Sequence, residues 1–318
     1  MSKRRPSIAA IAAATLALTG TSAAQSYPEH IIEMIVPSTP GSSADILGRI
    51  LADSMGSQLG QRFIVFNKPG GSSILGTAEV ARAKPDGYTL MHGAAFSITV
   101  QPLTERQTGY TAQSFDPICQ TFKNDQVIVA RQNTYKSVAD LIAAAKAKSG
   151  GLNFGSPGLG TIPHLSMAEL SQVSKVEFNH VPFKGPAEAI QMALAGQIDF
   201  SVVPLTAAAT SGLFMPGLFA EKRNSSIPDV PTVREQGFDV APLSIGGLLG
   251  PAGLPAEIKK KLEAACIAAK ESEPFQRMVK TTYQPSDYFA DSAGFARNLN
   301  KDVEDKRRLL TALGMVKS

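Results

Sequence analysis

The chain has 318 residues, with 31 Lys and Arg against 27 Asp and Glu, 43% hydrophobic side chains and two cysteines. That length exceeds the comfortable size of a single core, so two domains are expected. The basic excess is not gathered into Lys/Arg clusters with interleaved aromatics, which excludes the usual nucleic-acid binders.

The first residues carry most of that excess. Lys3, Arg4 and Arg5 precede an apolar run from Ile8 to Leu18, and Ser22-Ala23-Ala24 follows with small residues where a signal peptidase reads. The run is shorter than the ~20 residues a spanning helix needs, so residues 1–24 are expected to be an export signal cleaved after Ala24. Pro6 directly after Arg4-Arg5 argues for a Sec-type over a twin-arginine signal. The remaining chain holds 28 basic and 27 acidic residues. Its one tight basic run, Lys306-Arg307-Arg308, is expected on a solvated helix face.

Beyond the leader, short apolar runs alternate with helical patterns. Ile31 to Val36, Phe63 to Phe66 and Tyr88 to His92 read as buried strands, and Leu47, Leu51, Met55 and Leu59 recur four apart, as on one face of a helix. The alternation resumes with Val127 to Ala130, a helix opened by the capping box Ser137 to Asp140, and strands at Leu152 to Phe154, Val176 to Val181 and Ile198 to Val203. After Pro251 helices dominate: Pro255 to Lys270, one around Phe275 to Val279, and a long one from about Ser286 to Leu313. Such βα units imply an α/β fold of two mostly parallel sheets flanked by helices, crossed twice by the chain to make hinged lobes.

Three segments, Met34 to Leu51, Phe63 to Ala81 and Leu152 to Leu170, run a strand through a loop of Gly, Ser, Thr and Pro directly into a helix. A helix opened by small residues points free backbone N–H groups and a positive dipole end at whatever lies above it, an anion site without charged side chains. In open α/β sheets ligands lie at the carboxyl ends of the strands. Loops Ser38 to Ala44, Pro69 to Gly76, Gly93 to Ser97, Ser156 to Ile162, Lys184 to Ala187 and Pro204 to Thr206 all fall there.

No catalytic set is visible. The chain has no Gly-x-Ser-x-Gly elbow, no phosphate-binding Walker loop and no His-Glu-x-x-His, and Gly155, Gly158 and Gly160 do not match a dinucleotide fingerprint. His30, His92, His164 and His180 are scattered; His164, at a helix start, either lines the cleft or packs and caps locally. Asp45, in the first turn of its helix, is expected to order the loop, and Asp199 to be structural. Cys119 and Cys266 lie on apolar stretches, without another Cys or a His at metal-ligand spacing. In an oxidising compartment they either bridge or rest as buried thiols; the bridge is the expectation, contributing on the order of 5 kcal/mol in the chain-entropy model.

Several segments carry a resemblance: Pro37 to Asp45, Asn67 to Gly71 with Gly76, Lys84 to Leu90, Phe154 to His164, Val181 to Gly185, Gly196 to Asp199, Pro228 to Thr232 and Gly250 to Pro255. In this order, over essentially the whole mature chain, they resemble the Bug-type extracytoplasmic solute receptors of tripartite tricarboxylate transporters. The resemblance implies a two-lobed periplasmic binding protein fold that closes on a carboxylate and delivers it to a membrane permease, with no cofactor, metal or catalysis. Lobe one would comprise residues 25–124 and 245–318, and lobe two residues 125–244. Ser38, Thr39, Ser42, Ser43, Gly70, Gly71, Ser72 and Ser73 would grip the ligand from one side, and Ser156, Gly160, Thr161, His164 and Lys184 from the other. Phe96 is either a cleft wall for an aromatic acid or part of the lobe's packing.

The family's first loop commonly reads Gly-Gly-Ser-Thr-Asp where this chain has Gly41-Ser42-Ser43-Ala44-Asp45, exchanging one glycine for a hydroxyl and losing another hydroxyl. The expected ligand is a di- or tricarboxylate, with a terephthalate-like aromatic diacid one version, and the expected state is a periplasmic monomer. The alternatives are a ligand-loaded sensor for a membrane signalling partner and a secreted hydrolase.

Overall fold

The computed structural model describes residues 27–317. The leader and its cleavage site after Ala24 lie outside the described residues. The chain begins with β1 (Ile32–Val36), α1 (Ser43–Leu59), β2 (Phe63–Asn67), α2 (Ile74–Ala81), β3 (Thr89–Ala94), the short α3 (Phe96–Thr99) and α4 (Gln101–Thr104), and β4 (Phe115–Lys123). It crosses into β5 (Gln126–Ala130), α5 (Val138–Ala147), β6 (Leu152–Ser156), α6 (Ile162–Ser174), β7 (Phe178–Pro182), α7 (Pro186–Leu194), β8 (Phe200–Pro204), α8 (Leu205–Ala208) and β9 (Phe214–Phe219). It then returns through β10 (Ile245–Pro251), α9 (Ala256–Lys270), α10 (Glu273–Thr281) and α11 (Ser292–Ala312).

Two five-stranded sheets result, ordered β2-β1-β3-β10-β4 in lobe one and β7-β6-β8-β5-β9 in lobe two. The two-lobed α/β architecture is the expected one, but the sheets are mixed: β10 runs antiparallel to β3 and β4, and β5 antiparallel to β8 and β9. The reason lies in the crossings. Each brings the chain directly from the carboxyl edge of one sheet to the carboxyl edge of the other, so the entering strand must run against the parallel set. Gln126 accordingly pairs with Pro204, and Gly246 with Ala94, at the ends of β8 and β3. The two crossings run side by side, where the Asn124 N–H donates to Ser244 O at 2.7 Å. Buried Asn224 ties them to the helical segment, donating to Asp125 Oδ2 at 2.9 Å and to Tyr283 O at 2.8 Å.

Each sheet is covered on both faces. In lobe one, Leu47, Leu51 and Met55 of α1 pack with Leu262 and Phe275 against one face, and Phe295 and Leu299 of α11 cover the other. In lobe two, Leu141, Met167 and Leu170 cover one face, while Ala189, Ile190 and Ala193 cover the other. Each large apolar side chain fully buried in this way stabilises the fold by roughly 1.5–3 kcal/mol relative to leaving it in water. Cys119 of β4 and Cys266 of α9 are disulfide-bonded across 147 residues, as expected.

Two sequence readings change. Lys306 is not on a solvated face: it is 1% exposed, its Nζ donates to Leu243 O at 3.2 Å and lies 3.3 Å from Asp302 Oδ1, whereas Arg307 and Arg308 are exposed. A periodic basic run gives no warning that one member meets a buried carboxylate one turn earlier. The last helix also starts later than expected, because Asp291 caps it by accepting from the Gly294 N–H at 2.7 Å. The preceding residues instead line the edge of β4, where Gln120 and Ala290 exchange backbone hydrogen bonds.

Candidate ligand cleft

The carboxyl ends of β1, β2, β3, β6, β7 and β8 open towards the crevice between the lobes, with the crossings at its base. The loop after β1 is built around Asp45. This side chain is buried, and its carboxylate accepts from the Gly41 N–H at 2.8 Å and Asn67 Nδ2 at 2.9 Å, with the Arg49 guanidinium 2.9 Å away. Burial alone would push the Asp45 carboxyl up, but these donors together hold it below the usual carboxylate range. Gly41, at φ +80°, supplies a backbone shape that a side chain would resist. Ser42 caps α1 by accepting from the Asp45 N–H at 3.3 Å, and its hydroxyl meets that of Ser38 at 2.7 Å. Thr39 and Ser43 are exposed beside them.

The loop after β2 is strained. Gly70, Gly71, Ser72 and Ser73 all have positive φ, at +130°, +54°, +54° and +77°. Non-glycine residues rarely hold this conformation, and such outliers concentrate at ligand clamps. The turn closes through Ile74 N–H to Gly71 O at 3.1 Å and leads straight into α2.

Across the crevice, the loop after β6 is organised by hydroxyls and two imidazoles. Buried Ser156 Oγ lies 2.7 Å from His180 Nε2 and 3.1 Å from Gly158 O, while Thr161 Oγ1 donates to Gly158 O at 2.7 Å. The Gly160 N–H donates to His164 Nδ1 at 3.1 Å, so this imidazole packs and caps the loop, with its ring centre 4.3 Å from that of His180. Burial, reinforced by His164, pushes His180 down to about 4, and burial lowers His164 as well, so both rings are neutral near pH 7.

Five of the expected residues, Ser72, Ser73 and Phe96 from lobe one and Gly160 and Thr161 from lobe two, line one cavity of about 440 Å³ between the lobes. Phe96 packs on an apolar cluster formed by Val100, Leu103, Leu165, Leu309 and Leu310 and also lines this cavity. Ser38, Thr39, Ser42, Ser43, Gly70, Gly71, Ser156 and His164 belong to the adjoining loops without lining it, and Lys184 is exposed at the start of α7, where its N–H donates to Glu188 Oε2 at 3.0 Å. Sequence reasoning missed His180, whose partner Ser156 is on a different strand, and the segment after α11, since Gly314, Met315 and Lys317 also line the cavity. Leu313-Gly314-Met315 was the available signal, a glycine after a helix followed by an apolar residue. His92 lies elsewhere. It is fully buried and pushed down to about 4 by burial, and its Nδ1 meets Ala44 O at 3.0 Å and its Nε2 meets Thr121 Oγ1 at 2.9 Å.

The profile of the tripartite tricarboxylate transporter family receptor matches residues 47–315. The chain belongs to this receptor family. The receptor is 32% identical to a UPF0065 protein from the gbd 5′ region of Cupriavidus necator, over 98% of this chain and 97% of that protein. It superposes on a TctC solute binding protein from Polaromonas with a TM-score of 0.80 at 29% identity, covering 90% of this chain and 99% of that one. On the periplasmic binding protein BugD the TM-score is 0.74 at 26% identity, covering 92% and 100%. Receptors of this family are periplasmic solute-binding proteins of tripartite tricarboxylate transporters, and the Bug-type resemblance read from the loops is thereby established. Among the described residues no helix is long and apolar enough to cross a membrane, and no group of three or more His, Cys, Asp or Glu side chains is placed to hold a metal ion.

Proposed function

We propose that this receptor, exported by a leader cleaved after Ala24, captures a dicarboxylate between its lobes and presents it to a tripartite tricarboxylate permease without transforming it. The proposal takes residues 25–124 and 245–318 as lobe one and residues 125–244 as lobe two. The observation that carries it is the pair of small-residue loops, Ser72-Ser73 on one lobe and Gly160-Thr161 on the other, facing one cavity. Neutral N–H and O–H donors in a crevice give a carboxylate charge-assisted hydrogen bonds without a fixed ion pair to break on release. The remaining loop residues, from Ser38 to Gly71 and from Ser156 to Lys184, complete the grip as the lobes close, and contacts made only in the closed state shift the population towards it. Two Rhodopseudomonas palustris proteins that share the fold at 24% identity are described with adipate and with malate bound.

A thermal-shift screen of mono-, di- and tricarboxylates on the exported protein tests this reading. At ~100 times its dissociation constant, a true ligand adds about 2.7 kcal/mol and a clear rise in melting temperature. No rise with any carboxylate would refute the carboxylate assignment, and recovery of a chemically altered acid would refute the non-enzymatic one.

A further inference from the structure

The segment that follows α11 is built into the cleft. Helix α11 is closed by Gly314, which lies just past its C-cap Leu313 and adopts φ +65°, with the Gly314 N–H donating to Thr311 O at 3.0 Å and the Met315 N–H to Leu310 O at 2.9 Å. This is a Schellman closure, whose usual apolar contact joins the residue after the glycine to the last turn. Here Met315 packs on the cluster that holds Leu310. Two residues on, the Lys317 N–H donates to Leu103 O at 2.9 Å, strapping the tail to α4 of lobe one. Met315 is therefore held at both sides, and its Cε lies 3.5 Å from where a Cβ on Gly160 of lobe two would stand. It is carried by one lobe and meets the ligand-facing loop of the other.

Four apolar side chains, Phe96, Val100, Leu159 and Met315, line the cavity alongside the Ser72-Ser73 and Gly160-Thr161 donors, together with Gln101, Thr104 and the Glu105–Lys317 ion pair. Leu159 is 69% exposed, an apolar side chain held out between Gly158 and Gly160, both at positive φ. A carboxylate gripped by the serine and threonine loops would project its body past this wall. We propose that Met315 is a specificity-determining residue: with Phe96 and Leu159 it forms the wall that fixes how long an apolar-bodied carboxylate the receptor accepts. The inference rests on the carboxylate reading above and adds to it the class of ligand body, a hydrocarbon or aryl spacer.

The test is calorimetric titration of the exported protein with unbranched dicarboxylates from succinate to sebacate, comparing wild type with Met315→Ala, Met315→Phe and Met315→Leu. A pocket rejects one misplaced methylene by roughly ten- to two-hundredfold. The expected result is an affinity optimum in wild type that M315A moves to longer acids and M315F to shorter ones, each changing the long-to-short ratio by about tenfold or more. M315L, of similar volume, should keep the wild-type profile, and circular dichroism on each variant reports folding. An unchanged profile in M315A and M315F, or a uniform weakening of every acid, would overturn the proposal while leaving the carboxylate reading intact. Failure of wild type to bind any acid of the series, or any other carboxylate, would overturn both.

Discussion

Replacing Asp45 by asparagine tests whether the first loop is held by a charged acceptor. The carboxylate accepts from Gly41 N–H, Asn67 Nδ2 and Arg49, and its side chain is 5% exposed, while Arg49 is 49% exposed. The ion pair is therefore solvent-screened and worth under about 0.5 kcal/mol. Each of the two neutral donors to a buried carboxylate contributes about 1.5–3 kcal/mol. Asn at position 45 keeps one acceptor oxygen and turns an amide N–H₂ towards the donors, so the expected loss is about 2 kcal/mol. At about 2–4 °C per kcal/mol this lowers the melting temperature by about 4–8 °C.

The sign with pH follows from the direction of the shift. Asp45 titrates below its unfolded value of about 3.9, so its contribution is complete above that pH and is lost as pH falls through the lower folded value. Urea denaturation of wild type and D45N at a series of pH values should give a constant gap near neutrality that narrows in acid. A gap that persists unchanged well below about pH 3.9, or one smaller than about 0.5 kcal/mol at pH 7, would refute the reasoning.

Further outcomes follow from other residues. Replacing both Cys119 and Cys266 by alanine should cost on the order of 5 kcal/mol in the chain-entropy model, read as a lower urea midpoint matching that of reduced wild type. Gly246→Ala places a Cβ 2.0 Å from Phe122 Cζ and 2.4 Å from Gly93 O and should destabilise by more than about 3 kcal/mol, as core strain does. By contrast Gly185→Ala, at φ −176° with open space around it, should stay within about 0.5 kcal/mol, and equal melting temperatures for the two variants would contradict the packing account. His92 and His180 are both pushed down to about 4, so their imidazole NMR signals should not titrate between about pH 8 and 5.5. The unfolded chain then binds more protons between about pH 6.5 and 4, so stability falls as pH drops across that window, and His180→Gln should flatten the fall.

The parallel strands and their helices were legible because each is a short apolar run with a periodic partner. Three strands were not. In β10 the run Ile245-Gly246-Gly247-Leu248 looks like a loop, yet the glycines are there because Phe122 and the Cys119 carbonyl press against them beside an irregular register in the ladder. Strands β4 and β9 carry Pro117 and Pro216, which argue against central strands; both are edge strands, where proline is tolerated. The donor loops of the site were readable from composition, since a tight strand-to-helix turn needs small residues. The His180 partnership with Ser156 and the return of Met315 over Gly160 were not, because both join positions far apart in the chain through tertiary packing alone.

The order of strands also sets the order in which the protein can be assembled. Every strand of the second sheet lies in one unbroken stretch, Gln126 to Phe219, whereas the first sheet needs β10 to join β3 to β4. Of a chain emerging amino end first, the inserted lobe can complete its sheet while the outer lobe is still two separate pieces. Until Ile245 to Pro251 arrives, β3 and β4 present open edges, and Cys119 waits on Cys266, 147 residues downstream. The outer lobe is thus the late-closing one, and its maturation depends on the segment from Ile245 onward, roughly the last quarter of the chain.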